Sequence, residues 1–328
     1  MGRPLVNVVI PTRHRAQTLA AALASVAAQE IEDVEVVLVL DADDAQPVDQ
    51  SPPGLPIRRV SVPPGSGLTK ARAAGVAGCR GRFVAFLDDD DLWLPGHLTG
   101  ALGVLDGGGL DMVYTTCLVA HARYDPTEGT AVTSRYRFDY PHDPDLLSVA
   151  NTIPVISVVS RLFPAEFGEP SDVVQDDWDM WLRLAHGHGW RIRHAPQATA
   201  VYHRVPQVAS LTGSAATTVA GIRRFAAGHR ALHRRWPVPP GGPAERARPL
   251  PHRMYALVEQ RLAAGLPVSH FYYERSLRLF AAVVRGEMAP GEASDALAEA
   301  VTADPRDEQD GENSGGFRMS GTGDERER

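Results

Sequence analysis

Four aspartates in a row, Asp88 to Asp91, follow directly on an apolar run, Phe83-Val84-Ala85-Phe86-Leu87. Adjacent carboxylates at the end of a buried segment repel one another, and burial without a partner raises their pKa. A hard divalent cation relieves that cost, and oxygen ligands suit Mg²⁺ or Mn²⁺. Such an ion can stabilise charge on a diphosphate leaving group as a Lewis acid. The competing reading is a solvated turn that caps a helix starting near Pro95. A second acidic pair, Asp176-Asp177, opens the stretch Asp176-Asp177-Trp178-Asp179-Met180-Trp181-Leu182. It could cap that helix, expose a carboxylate for proton transfer, or do both.

The elements that must hold these acids are legible as apolar runs. Strands are predicted at Leu5–Ile10, Val34–Leu40, Ile57–Val62 and Phe83–Leu87, with helices at 17–29 and from Leu68 to Cys79 between them. Such alternation implies an α/β layer with a mainly parallel sheet. Sites in these sheets lie beyond the carboxyl ends of the strands, which singles out Thr12 to Arg15, Asp41 to Asp44 and Asp88 to Asp91. A further strand is expected at Met112–Ala120 and another at Ala198–Tyr202. Trp178, Trp181, Leu182 and Ala185 share one helical face over 176–186. Asp179 and Arg183 in that helix read as an i,i+4 ion pair rather than a site. Beyond Pro206 the pattern becomes helical, at about 217–236, 253–264, 269–286 and 291–302, with Pro237–Pro251 as a linker.

Four segments in order carry a resemblance: Val8-Val9-Ile10-Pro11-Thr12, Glu35 to Asp41, Gly67-Leu68-Thr69-Lys70-Ala71-Arg72, and Phe86 to Trp93. Over roughly residues 5–205 the chain resembles the family 2 glycosyltransferases of GT-A fold. The resemblance implies a nucleotide base pocket at Thr12 and Asp41, with Arg72 facing the base or diphosphate and Asp88 the ribose. It puts a metal on Asp90, with Asp89 and Asp91 beside these groups. Gln175-Asp176-Asp177-Trp178 resembles the family's Glu-Asp-Trp helix start, which makes Asp177 the base of an inverting transfer and Asp176 its neighbour. Tyr202-His203-Arg204 falls where the family closes over the donor phosphates. The chain departs from the family at Arg13-His14, Leu40 and Ala73, all around the base. Other readings stand beside these. Thr12 could cap a helix, Asp41 could be one loop acid among several, and Lys70, the only lysine, could be a surface charge.

Composition narrows the classes. The 328 residues fit a GT-A domain at 1–205, a helical extension at 206–302 and a polar acidic tail at 303–328, expected to be disordered. The net charge is −7, of which the tail carries −4, so the body is near neutral and not built for nucleic acid. Two cysteines and no visible secretory signal lead to the expectation of a reduced cytoplasmic protein. No apolar stretch approaches the roughly 20 residues of a membrane span. Peripheral contact is conceivable through the arginines of 217–236, which could equally solvate a helix face or meet substrate. Gly65-Ser66-Gly67-Leu68-Thr69-Lys70 lacks phosphate-loop order, and no Gly-x-Gly-x-x-Gly follows the first strand. Leu232 to Trp236 lacks the Gln of the processive synthases' Gln-x-x-Arg-Trp motif, so transfer of one sugar is expected. A UDP-sugar is the expected donor, and the acceptor is open. The rival class is a non-catalytic GT-A module binding carbohydrate or a partner. Its mark would be loss of an acid at 88, 90 or 177, and none is lost.

Overall fold

The computed structural model describes residues 2–13, 15–41, 51–107, 109–124, 132, 134–164, 173–204 and 217–302. The expected tail at 303–328 and the loop acids Asp43 and Asp44 lie outside them. Its first half is β1 (Val6–Thr12), α1 (Ala16–Ala27), β2 (Val34–Leu40), β3 (Ile57–Ser61), α2 (Leu68–Gly78) and β4 (Phe83–Phe86). Strand β1 lies between β2 and β4, parallel to both, with Val8 opposite Val36 and Ala85. Covered on both faces, these strands read as unbroken apolar runs rather than alternating ones. Pro11 is tolerated because β1 outlasts its pairing with β4, which ends at Val9 and Phe86. Helix α2 packs close because Gly75 has no side chain. A Cβ there would stand 2.3 Å from Val9 Cγ1.

The second half supplies β5 (Leu92–Trp93), α3 (His97–Gly107), β6 (Met112–Ala120), β7 (Ser134–Phe138), α4 (Pro144–Leu147), β8 (Val158–Arg161), α5 (Asp176–Leu182) and β9 (Ile192–His203). The sheet order is β3-β2-β1-β4-β8-β6-β9-β5, with β7 on β6. Strands β5, β7 and β8 run against the others, so six of the nine described strands share a direction. The mainly parallel sheet read from sequence is therefore present. The carboxyl ends of β1, β2, β4, β6 and β9 all reach the same edge. The strand expected at Ala198–Tyr202 is the end of the longer β9, which bulges against β6 near Thr115 and Thr116. The helix expected over 176–186 is α-helical to Leu182, then widens into a π-type turn over Arg183–Gly187.

Helices α6 (Val219–Arg235), α7 (Pro243–Ala247), α8 (Pro249–Ala263), α9 (Tyr272–Val284) and α10 (Pro290–Ala300) form the C-terminal extension. The expected linker at Pro237–Pro251 contains α7 and the start of α8. Proline breaks a helix interior, but Pro243 and Pro249 open their helices, where the missing N–H has no partner to lose. Helix α6 buries Ile222, Ala226, His229 and Leu232 on one face. Gly228 lets it approach α5, since a Cβ there would meet Gln175 Oε1 at 2.3 Å. At the same contact, Gln175 Nε2 donates to the Phe225 carbonyl at 3.1 Å. No described helix is long and apolar enough to cross a membrane.

Candidate active site

The acidic run sits between β4 and β5, closed by a turn in which the Asp91 N–H donates to the Asp88 carbonyl at 3.2 Å. Its carboxylates are shared among three elements. Arg72, buried on α2, is the central clamp. Its Nη2 donates to both oxygens of Asp88 at 2.9 and 3.1 Å. Its Nη1 donates to both oxygens of Asp176 at 3.1 and 3.0 Å. One guanidinium thus ties the first acid of the run to the start of α5. Burial works against the Arg72 charge, but Asp88 and Asp176 outweigh it and hold its pKa above the ordinary value.

Thr12, at the end of β1, donates through Oγ1 to Asp89 Oδ2 at 2.7 Å. Arg15 Nη1 reaches Asp89 Oδ1 at 3.1 Å and Asp90 Oδ2 at 2.5 Å. Burial pushes Asp89 up to about 6 against the hydrogen bond from Thr12. Burial and the Asp88 charge also raise Asp90. Asp91 is fully inside, pushed well up by burial and by the adjacent acids. Its Oδ1 accepts from the His203 N–H at 2.7 Å, while its buried Oδ2 has no hydrogen-bond partner.

His203 closes the far side. Tyr124 donates its backbone N–H to Nε2 at 3.3 Å, so Nδ1 carries the proton and donates to the Asp90 carbonyl at 2.9 Å. Both ring nitrogens are engaged with backbone, and burial drives the imidazole pKa down to about 4. Arg204 turns away from the run. Its Nη1 meets Glu274 Oε1 at 2.5 Å and its Nη2 the His270 carbonyl at 2.7 Å, both in the extension.

Asp177 is held by two donors, the Trp178 N–H on Oδ1 at 2.8 Å and Asn151 Nδ2 on Oδ2 at 2.9 Å. Burial and the Asp176 charge push it up to about 6. Helix α5 is locked by its two buried tryptophans. Trp178 Nε1 donates to the Leu147 carbonyl at 2.7 Å and Trp181 Nε1 to the Ile153 carbonyl at 3.0 Å. Trp181 also meets Phe86 of β4 edge to face at 6.1 Å, which ties α5 to the strand that bears the acidic run.

The remaining sequence candidates lie further out. Asp41 receives the N–H groups of Ser66 and Gly67 at 2.9 and 3.0 Å, holding the loop into α2. Gly67 adopts φ +84°, open to glycine without strain. Pro11 is buried, Arg13 exposed. Lys70 is exposed on α2, two residues from Arg72 and so about 200° away around the helix. Asp179, read as half of an i,i+4 pair, is fully buried, and its donors include Arg183 Nη2 at 3.3 Å, Arg235 Nη1 at 2.6 Å and Trp236 Nε1 at 2.9 Å. Two residues escaped the sequence reading. Arg15 stood in the polar segment after β1 but drew no role. Asn151 had no local signal, because its partner is 26 residues away.

The donor set suits a particular kind of ion. Among the described residues no three or more His, Cys, Asp or Glu side chains converge to hold a metal. Mg²⁺ and ions like it are commonly bound through one or two carboxylates, with substrate phosphates and water completing the shell. Asp90, with Asp88 beside it, offers that pattern. The unpartnered Asp91 oxygen and the raised acids mark a surplus of negative charge that a cation would relieve.

The glycosyl transferase family 2 model matches residues 7–162. The glycosyltransferase YwdF of Bacillus subtilis (strain 168), itself uncharacterized, is 30% identical over 202 residues, 60% of this chain and 73% of that one. The chain belongs to glycosyl transferase family 2. The succinoglycan biosynthesis protein ExoO of Rhizobium meliloti (strain 1021) is 34% identical over 108 residues, 32% of this chain and 31% of its own. In fold, the chain is similar to the mannosyltransferase PcManGT from Pyrobaculum calidifontis, a structure in complex with GDP-Man and Mn²⁺. The TM-score is 0.51 at 18% identity, covering 91% of this chain and 87% of that one. The GT-A fold expected from sequence is the fold found, and sugar transfer is the activity of this family 2 member.

Proposed function

We propose that this family 2 chain moves one sugar, with inversion, from a nucleoside-diphosphate sugar to an acceptor hydroxyl or amine. The observation that carries the reading is the Arg72 clamp. It ties Asp88 to Asp176, the neighbour of Asp177, and on this proposal they mark the donor side and the acceptor side of one cleft. In this reading Asp88 meets the ribose and Asp90 holds Mg²⁺ or Mn²⁺. When bound, the ion supplies positive charge for the diphosphate as it leaves. In the same reading Asp177 faces the acceptor, oriented by Asn151 and the Trp178 N–H. Raised to about 6, it is ionised at neutral pH yet basic enough to take the acceptor proton as the oxygen or nitrogen attacks. A uridine nucleotide is the donor we favour. Transfer of a single sugar is supported by Leu232 to Trp236, which lacks the Gln of the Gln-x-x-Arg-Trp motif.

Asp177→Asn tests the reading. The amide keeps the shape and cannot accept the proton, so transfer should fall by about 10²–10⁴-fold. Thermal stabilisation by a panel of UDP-, GDP- and dTDP-sugars with Mn²⁺ should be retained, since a true donor stabilises by mass action. Wild-type transfer by the Asn variant would remove Asp177 from the role. Asp90→Ala should abolish the part of the thermal shift that depends on Mn²⁺.

A further inference from the structure

The carboxylate of Asp177 is not oriented by its own helix alone. Asn151 Nδ2 donates to Oδ2 at 2.9 Å, and Asn151 Oδ1 accepts the Ile153 N–H at 3.1 Å. That second bond fixes which end of the amide faces the acid, because an N–H can only meet the oxygen. The backbone carbonyl of Asn151 accepts the Tyr273 hydroxyl at 3.1 Å. Tyr273 lies in the first turn of α9, in the extension. Its neighbour Glu274 is buried against Arg204, which directly follows the His203 strap over Asp90 and Asp91. Two consecutive residues of one extension helix thus support both halves of the cleft, the Asp177 side through Asn151 and the acidic run through Arg204.

We propose that Asn151 and Tyr273 are positioning residues for Asp177, and that α9 is therefore part of the catalytic apparatus rather than only a packing element of the extension. The proposal rests on the reading of Asp177 as the base. Two donors on two different oxygens fix the carboxylate plane and leave a lone pair on each oxygen for the incoming proton. A carboxylate held by hydrogen bonds stays ionised more readily than one without them. The charged groups around it are Asp176 on its own helix and Arg72 from α2, with the Tyr273 phenol from α9.

The test is the titration of the Asp177 carboxyl followed by infrared difference spectroscopy, with the band identified by its loss in Asp177→Asn. This readout needs no substrate. Asn151→Ala removes the side-chain donor and should raise the Asp177 pKa by about one unit, a tenfold shift in its ionisation. Tyr273→Phe keeps the ring and loses only the hydroxyl. It should move the same pKa upward by less, with a melting temperature within about 4 °C of wild type, the scale of one lost hydrogen bond. Turnover of the UDP-, GDP- or dTDP-hexose that stabilises the wild type should fall in kcat for both variants, at unchanged donor KM. An Asp177 titration unmoved in Asn151→Ala, or a melting loss without any shift in Tyr273→Phe, overturns the proposal. Either result leaves the base assignment standing, since that is decided by transfer in Asp177→Asn.

Discussion

Titratable side chains crowd together in two places, the acidic cleft and the seam where α6 and α8 meet α5, and burial drives them in opposite directions. In the seam, His229 and His233 each place Nε2 on the Val149 carbonyl, at 2.9 and 3.0 Å. With its proton on Nε2, His233 receives His252 Nε2–H on Nδ1 at 3.0 Å. Trp178 packs at a tilt against His229, with ring centroids 4.5 Å apart. Burial depresses all three imidazoles, His229 and His233 most, and the nearby Arg248 charge adds to it, so the three rings are neutral. In the cleft, burial raises Asp89, Asp90, Asp91 and Asp177 instead, and the guanidiniums of Arg15 and Arg72 lie against the acids. Crowding alone therefore does not mark a site. The seam rests His229 and His233 on one backbone carbonyl and His252 on His233, with the rings uncharged, whereas the cleft keeps charge in excess of its partners.

The strongest way to break the contrast is to remove the cleft's clamp. Arg72→Met leaves Asp88 and Asp176 without their cation, and losing one partner of a buried pair costs about 3–5 kcal/mol. The expected result is a lower melting temperature together with loss of the thermal shift from nucleotide-sugars and Mn²⁺. A melting loss with donor stabilisation intact would reduce Arg72 to a structural strut.

Asp179→Ala should cost somewhat less, about 2–3 kcal/mol, because Arg183 and Arg235 remain partly open to water once unpaired. Here the donor-dependent thermal shift should survive. Asp179 anchors α6 to α5 and touches nothing in the cleft. Two buried ion pairs of similar make would then differ in function as the comparison requires.

How much of each pair was legible in the sequence follows from locality. The spacing of Asp179 and Arg183 read as an ion pair, whereas Arg72 read as facing the donor, and its tie to Asp176, 104 residues away, has no local signal. The strands around Phe83–Leu87, the acidic run and the Trp178/Trp181 face are patterns within ten residues, and the structure keeps them. Asp179 read as a partner for Arg183 because that spacing is local, yet its shorter contacts come from Arg235 and Trp236, more than 50 residues on. Asn151 and Tyr273 are likewise joined across 122 residues. The proline-rich 237–251 stretch misled for a different reason: proline's meaning depends on its place within the helix turn. His203 and Arg204 read alike from sequence, but adjacent residues at the end of a strand point to opposite faces, so His203 reaches the acidic run and Arg204 the extension.

Acidity separates the two regions by sign. The seam histidines have folded pKa values below the unfolded 6.5, His233 near 3, so the unfolded chain binds more protons as pH falls below 6.5. Stability should drop through that window, by about 1–2 kcal/mol at pH 5 for each well-buried ring. Asp89 and Asp177, raised to about 6, act oppositely. Between the unfolded carboxylate pKa and about 6 the native state binds more protons, so their contribution to stability grows as pH falls. Melting scans from pH 7 to pH 5 should therefore show a shallower decline for His233→Gln than for wild type. Transfer should carry an acid limb near 6 that His233→Gln leaves in place. A limb that moved with the seam variant would mean the two regions titrate as one system.

The smallest effect sharpens the edge of the cleft. Lys70 and Arg72 both belong to the segment that carries the family resemblance, and both are cations that could meet a diphosphate. A helix turns about 100° per residue, so side chains two positions apart leave it on nearly opposite sides. Arg72 faces inward to Asp88 and Asp176, and Lys70 is left exposed. Lys70→Ala should change stability by no more than about 0.5 kcal/mol, the usual range for an exposed position. It should leave the nucleotide-sugar thermal shift unchanged at low salt, where a screened contact would be most visible. If that shift shrank at low salt and recovered at high salt, the cleft's positive rim would extend around α2, and the boundary between clamp and surface would have to be redrawn at residue 70.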